Sequence, residues 1–255
     1  MSCRKRAQKS WLGDFREMAT GWSAIAPPEE TSNSGGFVIP ASSVIPLRFC
    51  REAILTAMTG VPELGGLWPA GPFEGRIVRL EPIEERHRDG LRAAALRDPH
   101  IHRYTNMATF GFDTWFDNAL AAKSEIPFVV QIGGAPAGST RFLNIEPFHR
   151  RTEIGWTWLE RAGWGTGANV ETKYLLMRHA FERAGMMRVE FKTDARNLRV
   201  RGALLGVGGT FEGIHRKHMV LPDSVRDSAY YAVVDDDWPR VKAMLEAKIA
   251  RHVAG

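Results

Sequence analysis

Regular patterns of hydrophobic and polar residues begin near residue 67 and continue almost to the end of the chain. Residues 76–80 (RIVRL) alternate polar and apolar side chains, as a strand with one buried face does. Elsewhere, apolar residues recur with the spacing of a helix face or in short runs typical of strands. The patterns predict helices at 84–96, 113–123, 168–184, 198–205 and 238–252, and further strands at 127–132, 139–145, 152–159, 189–192, 209–219 and 229–234.

The order of these elements predicts a single α+β domain. The pair Gly133-Gly134 predicts a tight hairpin within the run of three successive strands, which we therefore expect to be antiparallel. In full, the chain runs through a strand, two helices, three antiparallel strands, a helix, a strand, a helix, two strands and a last helix. We expect one central mixed, mostly antiparallel sheet that is flanked by helices.

Residues 1–66 follow neither pattern and are predicted to form an N-terminal extension that is largely disordered or loosely packed. Prolines, glycines and small polar residues interrupt the stretch, as in PPEETSNSGG at 27–36. The basic start lacks the uninterrupted apolar core of a secretion signal, which favours a cytoplasmic location. The extension is compatible with a linker, a leader or a wrongly assigned start, and the ordered domain is expected to span residues 67–255.

The composition excludes several classes of protein. With 44% hydrophobic and 25% charged residues, the chain is neither wholly disordered nor fibrous, and it contains no run of about 18 apolar residues that would predict a membrane-spanning helix. Cys3 and Cys50 are its only cysteines, too few for a disulfide scaffold or a cysteine-rich zinc site. The net charge of +5 suits an anionic ligand but is too small and too dispersed to indicate nucleic-acid binding.

A glycine-rich turn, GWGTG at 163–167, links a predicted strand to the helix at 168–184. Such a turn exposes backbone N–H groups at the positive end of a helix dipole, where phosphate binds well. The turn lacks the Gly-Lys-Ser/Thr of a P-loop, and Val170 stands where a dinucleotide fingerprint needs its third glycine. Coenzyme A is the remaining phosphate ligand, although the turn alone is also compatible with a plain strand-to-helix connection.

Five separated motifs share the order and spacing of a known family. They are GRIVRLEPIEERH (75–87), RRTEIGWTWLE (150–160), GTGANVETKYLLMRHAFE (165–182), RVEFKTDARN (188–197) and GTFEGIHRKHM (209–219). In these motifs the chain resembles the GNAT superfamily of acyl-CoA-dependent N-acetyltransferases, and most closely the RimJ/RimL type that modifies the N-termini of ribosomal proteins. The resemblance extends over roughly residues 67–252.

The resemblance implies that the glycine-rich turn holds the pyrophosphate of acetyl-CoA through its backbone N–H groups. The residues to which it assigns this contact are Gly165, Thr166, Gly167 and Ala168. The family motif opens with Gln or Arg, and here this chain departs from it, because Ala162 occupies the position. Arg161, the preceding residue, is a candidate substitute.

The resemblance also implies that the strand at 152–159 splays from the next strand and that its backbone pairs with the pantetheine arm of the cofactor. This assigns cofactor contacts to Trp158 and Leu159 at the end of the strand. A backbone N–H there would polarise the thioester carbonyl and stabilise the oxyanion of the tetrahedral intermediate. Asn197 matches the asparagine that opens the following helix and faces the cofactor.

Acetyl transfer to an amine needs a group that takes a proton from the amine and a donor for the leaving thiolate. Glu153 is the candidate base, and its alternative role is a structural hydrogen bond or ion pair with Arg150 or Arg151. The resembling branch has a serine three residues after the asparagine, whereas this chain has Val200, which cannot donate a proton. Solvent is then the alternative proton source for the thiolate.

The histidines are weaker candidates. His215 and His218 lie on a predicted strand, where residues i and i+3 face opposite sides, so we do not expect them to act as a pair. His100 and His102 have no third ligand near them in the sequence, and no metal is expected.

The function implied by the resemblance is direct transfer of an acetyl group from acetyl-CoA to a primary amine, either a protein N-terminus or a small molecule. Acetyl-CoA and the amine are the implied partners, and neither a nucleic acid nor a membrane is expected to take part. The sequence is also compatible with a homodimer. Two alternatives stay open. One is a catalytically impaired acyl-CoA-binding regulatory protein, motivated by Ala162, Val200 and Leu205, and the other is a generic nucleotide-binding module.

Overall fold

The computed structural model describes Trp68 and residues 71–104, 107–221 and 224–254. The predicted extension, residues 1–66, lies outside the described residues, as do both cysteines. The strands are β1 (Phe73–Glu74), β2 (Val78–Pro82), β3 (Ile126–Ile132), β4 (Ala135–Glu146), β5 (Arg151–Leu159), β6 (Arg188–Asp194), β7 (Thr210–Leu221) and β8 (Ser224–Val234). The helices are α1 (Arg88–Leu96), α2 (Met107–Leu120), α3 (Ala168–Glu182), α4 (Leu198–Gly206) and α5 (Trp238–Ala254).

All eight strands form one sheet in the order β1-β2-β3-β4-β5-β6-β8-β7. Neighbouring strands are antiparallel except for β5 and β6, which are parallel because α3 carries the chain back along the sheet between them. The predicted α+β class, with a mixed and mostly antiparallel sheet, is therefore confirmed. β1 was not predicted, because a strand of two residues is too short to show a period of alternation.

Helices pack on both faces of the sheet and enclose two hydrophobic cores. The larger core lies under α3 and α5 and includes Phe142, Leu176 and Leu245. The smaller core lies under α1 and α2 on the opposite face and includes Phe116 and Trp158. No helix in the described part of the chain is long and apolar enough to cross a bilayer.

A buried carboxylate anchors α3 to the beginning of β2. Glu171 is 3% exposed, and its two carboxylate oxygens accept the backbone N–H groups of Arg76, Ile77 and Val78 at 2.6–2.8 Å. Three such donors satisfy a buried charge that would otherwise be costly. The contact fixes the first turns of α3, which carry the candidate site, against the sheet.

Helix α2 begins earlier than the sequence pattern predicted. We expected residues 105–112 to form a loop and the helix to span 113–123, but α2 begins at Met107 and ends at Leu120. Gly111 interrupts it with φ 79° and ψ 166°, a conformation that glycine adopts readily. The break hides the first turn from the helical periodicity.

Candidate functional site

The two parallel strands of the sheet diverge and leave a cleft between them. β5 pairs with β6 only at residues 151–153, opposite 188–190. Beyond Glu153 and Glu190 the strands have no further pairing, although β5 stays paired with β4 as far as Leu159. We call the space between residues 154–159 and 191–194 the β5–β6 cleft. Along the cleft, β5 has a free backbone edge to which an extended ligand could bind.

A bulge in β5 lies beside this cleft. Trp156 has φ 50°, and the register between β4 and β5 shifts between Ser139 and Arg141. A bulge changes the faces to which the following residues point and bends the strand locally. The lack of a side chain at Gly155 leaves room for the Glu153 carboxylate, since a Cβ on Gly155 would stand 2.9 Å from Glu153 Oε1.

The glycine-rich turn lies at the end of β5 and forms the N-terminus of α3. Gly165 is exposed with φ 78°, and nothing stands within 4 Å of the position of its missing Cβ, while Gly167 caps the helix with φ 85°. Thr166 Oγ1 donates to Gly163 O at 2.9 Å and accepts the Ala168 N–H at 3.3 Å. Among the described residues, no acceptor is present for the backbone N–H groups of Gly165, Thr166, Gly167, Asn169 and Val170. Backbone N–H groups of this kind, at the positive end of a helix dipole, suit an anionic ligand.

Two arginines flank this turn by stacking on the same indole. The guanidinium carbons of Arg199, on α4, and of Arg161 lie 3.8 and 4.9 Å from the Trp164 ring centre. Burial and the neighbouring charge of Arg161 lower the pKa of Arg199, so two cations are held close together. Arg161 also pairs with Asp98 at 2.5 Å. Arg161 was a candidate from the sequence, whereas Arg199, 38 residues further along, is brought to the turn only by the fold.

Trp158 and Leu159 are each 6% exposed, so only their backbones could contact a ligand in the cleft. The Trp158 ring fills the smaller core, edge-on to Trp115 at 5.8 Å between ring centres. The Leu159 carbonyl already accepts the Trp164 indole N–H at 3.0 Å. That bond fixes Trp164, and with it the first part of the turn, to the end of β5.

Asn197 is the N-cap of α4, where its Oδ1 accepts the Val200 N–H at 3.2 Å. Val200 itself is half-buried and packs on the larger core. The apolar side chain at position 200 therefore offers the cleft no proton donor.

Glu153 lies at the point where β5 and β6 part and is 2% exposed. Its Oε2 accepts Asn144 Nδ2 at 2.9 Å and pairs with Lys192 Nζ at 3.0 Å. The alternative partners named from the sequence are engaged elsewhere: Arg150 donates to Gly185 O, and Arg151 pairs with Glu190 and Glu146.

A pocket of about 600 Å³ opens in front of Glu153. Glu153, Asn144 and Glu190 line one part of it, and His215 and Tyr230 line another. Charged residues of both signs surround the pocket, so a polar or charged acceptor could be recognised there.

The prediction that His215 and His218 face opposite sides of their strand is wrong. The two rings lie 5.7 Å apart, because β7 bulges between His215 and Met219, and Lys217 has φ 50°. Both rings contact Tyr230: His215 stacks on it at 4.0 Å, and His218 Nε2 lies 3.1 Å from its hydroxyl. From His215 to Met219, four steps along β7 stand against two along β8, so the regular two-residue alternation on which the prediction rested does not hold across the bulge.

The members of the other histidine pair, His100 and His102, have different surroundings. His102 is buried under Trp158 at 5.2 Å between ring centres and is within 3.3 Å of Ala95 O, whereas His100 is exposed. Burial lowers the pKa of His102. Within the described residues, no group of three or more His, Cys, Asp or Glu side chains could hold a metal ion.

Lys173 is a buried cation of α3 that the sequence analysis did not single out. It is 3% exposed, and its Nζ donates to Thr157 Oγ1 at 2.6 Å. Thr157 Oγ1 lies 2.8 Å from Thr140 Oγ1. Burial lowers the pKa of Lys173 to about 7, against an opposing effect of the negative charge on Glu153. The signal in the sequence was a lysine on the buried stripe of α3, nearly two helical turns after the glycine-rich turn.

An open mixed sheet, in which two parallel strands diverge and a glycine-rich turn begins the helix between them, is the arrangement of the acetyltransferase class of folds. The sequence model of the acetyltransferase (GNAT) domain matches residues 78–210, which is more than half of the chain. The protein therefore belongs to the GNAT acetyltransferase family, and the resemblance seen in the motifs is confirmed.

Solved structures agree with this assignment. A GCN5-related N-acetyltransferase from Brucella melitensis is 30% identical, with a TM-score of 0.67, over 72% of this chain and 87% of the other. A protein of T. thermophilus, provisionally called an acetyltransferase, is 37% identical, with a TM-score of 0.65, over 71% and 98%. The RimL ribosomal L7/L12 α-N-protein acetyltransferase, solved with coenzyme A, shares the fold at 19% identity, with a TM-score of 0.56, over 64% and 96%. A comparison with curated proteins finds no match.

Proposed function

We propose that the protein transfers an acetyl group from acetyl-CoA directly to a primary amine. The observation that carries the proposal is the β5–β6 cleft, which leads from the Glu153 pocket to a turn whose backbone N–H groups have no acceptor among the described residues. The cleft suits an extended arm, and the turn suits a pyrophosphate at the end of that arm. Membership of the family and the coenzyme A bound to the RimL relative support the same donor.

Two parts of the site would bind acetyl-CoA: the glycine-rich turn would hold the pyrophosphate, and β5 would hold the pantetheine arm. Gly165, Thr166 and Gly167 would donate backbone N–H groups to the pyrophosphate, with Arg199 adding positive charge beside them. The Ala168 N–H, which Thr166 Oγ1 accepts at 3.3 Å, would exchange that partner for the pyrophosphate. The free edge of β5 near Trp158 and Leu159 would pair with the pantetheine arm, and a backbone N–H of this stretch would stabilise the oxyanion. Asn197 would act by capping α4 at the edge of the cleft.

Glu153 is the proposed base that takes the proton of the amine. Its carboxylate lines the pocket where the strands part, so an amine held there would lie between the carboxylate and the thioester. Lys192 and Asn144 hold the carboxylate in place. Positioning of this kind, with proton transfer, contributes about 10²- to 10⁴-fold to rates in enzymes generally.

The acceptor is proposed to be a protein N-terminus or a small-molecule amine, and a cytoplasmic location and a homodimer belong to the same proposal. The proposed domain spans residues 67–255, and Trp68, at its start, is packed edge-on to Phe142 at 4.8 Å between ring centres. We propose no metal requirement.

The test is release of free thiol from acetyl-CoA with a panel of N-terminal peptides and small amines, run beside calorimetric titration of coenzyme A. Turnover with at least one amine supports the proposal. Tight binding of coenzyme A without turnover on the whole panel would favour the regulatory binding protein, and protection of the fold by ATP alone would favour the nucleotide module. Running the full chain beside a chain that begins at Leu67 tests the domain boundary.

A further inference from the structure

Lys173 is buried beneath the β5–β6 cleft and reaches both of its sides. Its Nζ contacts Thr157 of β5, and it lies 5.5 Å from the ring centre of Phe191 of β6. Both residues follow the last paired positions of their strands, Glu153 and Glu190. The amine of Lys173 is therefore part of the floor of the cleft.

The ammonium group has no carboxylate partner within ion-pair distance in the part of the chain that the structure describes. The hydrogen bond that its Nζ donates goes to the neutral hydroxyl of Thr157, and Glu153 is paired with Lys192 instead. A buried charge without a partner is strongly disfavoured, and an apolar residue would fill the same space without that penalty. Packing alone therefore does not account for a lysine at this position.

The residues assigned so far to the proposed reaction include no proton donor for the leaving thiolate. When the C–S bond of the thioester breaks, its electron pair goes to sulfur, and the thiolate must gain a proton to leave as a thiol. The apolar Val200 cannot supply that proton, and Glu153 is needed on the amine side. Thr157 lies on the stretch of β5 that is not paired with β6, and it is half-buried, so it is the more exposed residue of the Lys173–Thr157 pair. Its hydroxyl also contacts Thr140 Oγ1 at 2.8 Å and the Gly155 carbonyl at 3.4 Å.

We propose that Lys173 supplies the proton of the leaving thiolate, through the hydroxyl of Thr157 that it contacts. The inference rests on the proposed function, which places the thioester along β5. Thr157 gives its hydroxyl proton to sulfur and takes one from the Lys173 ammonium, leaving a neutral amine. The proton that Glu153 removes from the substrate amine balances this loss, so the products are the amide and coenzyme A, and Lys173 is reprotonated from solvent before the next cycle.

The acidity of Lys173 suits this step. A pKa of about 7 lies below the value of about 8.5 for an ordinary thiol, so transfer from the ammonium to the thiolate is downhill. An unburied lysine, with a pKa near 10.4, would hold its proton too tightly. The negative charge of Glu153 on β5 raises the pKa of Lys173 and so acts against the effect of burial. Thr157 and Phe191 are the uncharged neighbours of the Lys173 amine.

The experiment compares steady-state kinetics of the full chain and its variants with a working amine from the panel. Lys173→Met is expected to lower kcat about 100-fold with little change in the KM for acetyl-CoA, and to remove the fall in kcat above neutral pH. Lys173→Arg keeps the charge but cannot release a proton in this range, so it is expected to be as slow as Lys173→Met. Lys242→Met, on the exposed side of α5, is the matched lysine control.

Thr157 separates the proton role from a structural role of the lysine. Thr157→Val, which removes the hydroxyl at nearly constant volume, is expected to match the loss in Lys173→Met, and Thr157→Ser is expected to restore most of the rate. Equal kcat values and pH profiles in the wild type and Lys173→Met overturn the inference, as does full activity of Lys173→Arg. If the wild type itself shows no turnover, the proposed function fails instead, and these comparisons distinguish the two failures.

Discussion

Replacing Lys173 by methionine is expected to make the protein more stable while it makes the enzyme slower. The ammonium of Lys173 is buried, and within the described residues its hydrogen bond goes to the Thr157 hydroxyl and no carboxylate pairs with it. Methionine has a similar length and no charge, so it removes the burial penalty without opening a large cavity. A gain in stability coupled to a loss of rate is typical of residues kept for function.

The magnitude follows from the pKa of Lys173, which burial lowers from 10.5 in an exposed lysine to about 7. At pH 7 this difference corresponds to about 4 kcal/mol by which burial disfavours the folded state. Lys173→Met removes this penalty but also loses the hydrogen bond to Thr157, which offsets about 1 kcal/mol of the stabilisation. We therefore expect Lys173→Met to raise the free energy of unfolding at pH 7 by about 2–3 kcal/mol.

The pH dependence gives the effect a sign that can be tested. Between about pH 7 and 10.5 the folded chain binds fewer protons at Lys173 than the unfolded chain does, so the wild type gains stability as the pH rises. Below this window both states are protonated and the penalty is constant. From pH 7 to pH 9 the wild type should gain about 2 kcal/mol relative to Lys173→Met.

Urea unfolding of the wild type and of Lys173→Met at pH 7, 8 and 9 measures this difference directly, because other titrating groups are common to both proteins. Lys242→Met is the control, since its ion pair with Glu182 raises the pKa of Lys242 and leaves it protonated throughout the range. A difference in stability between wild type and Lys173→Met that stays constant from pH 7 to 9 would show that the pKa of Lys173 is not lowered to about 7. A less stable variant at pH 7 would show that the burial penalty has been misjudged.

Further predictions concern the cofactor and the base. Gly165→Glu should weaken coenzyme A binding by more than about 100-fold in calorimetry, since it brings a negative charge to the turn. Gly165→Ala, with the same positive φ but no charge, is the control. Normal affinity in Gly165→Glu would place the phosphate site elsewhere. Arg199→Ala should raise the Kd of coenzyme A about three- to tenfold and reduce its salt dependence, and an unchanged salt dependence contradicts a phosphate contact. Glu153→Gln should lower kcat about 100-fold. Because Glu153 raises the pKa of Lys173, the fall in kcat above neutral pH should also move to lower pH in this variant. Unchanged kinetics would make Glu153 a structural residue.

The elements of the domain could be predicted because their signals are local. The alternation at 76–80, the helical stripe at 168–184 and the paired glycines Gly133-Gly134 each depend on residues close in sequence, and the structure has β2, α3 and the β3–β4 hairpin at these places. The glycine-rich turn was predictable for the same reason, since the positive φ values of Gly165 and Gly167 follow from glycine itself.

The partners within the site were not predictable, because they depend on which strands become neighbours. Glu153 pairs with Lys192, 39 residues away, and not with the adjacent Arg150 or Arg151. The parallel register of β5 and β6 brings them together, and no local pattern encodes that register.

The sequence by itself determined the class of fold, the family and the position of the turn proposed to bind the cofactor. Only the tertiary structure decided how the remaining polar residues are arranged. A single bulge brought His215 and His218 to the same partner against their alternation, and the packing of α3 under the cleft buried Lys173 beside Thr157. Periodicity records which face a residue prefers, whereas burial and charge spacing arise only when distant elements pack together.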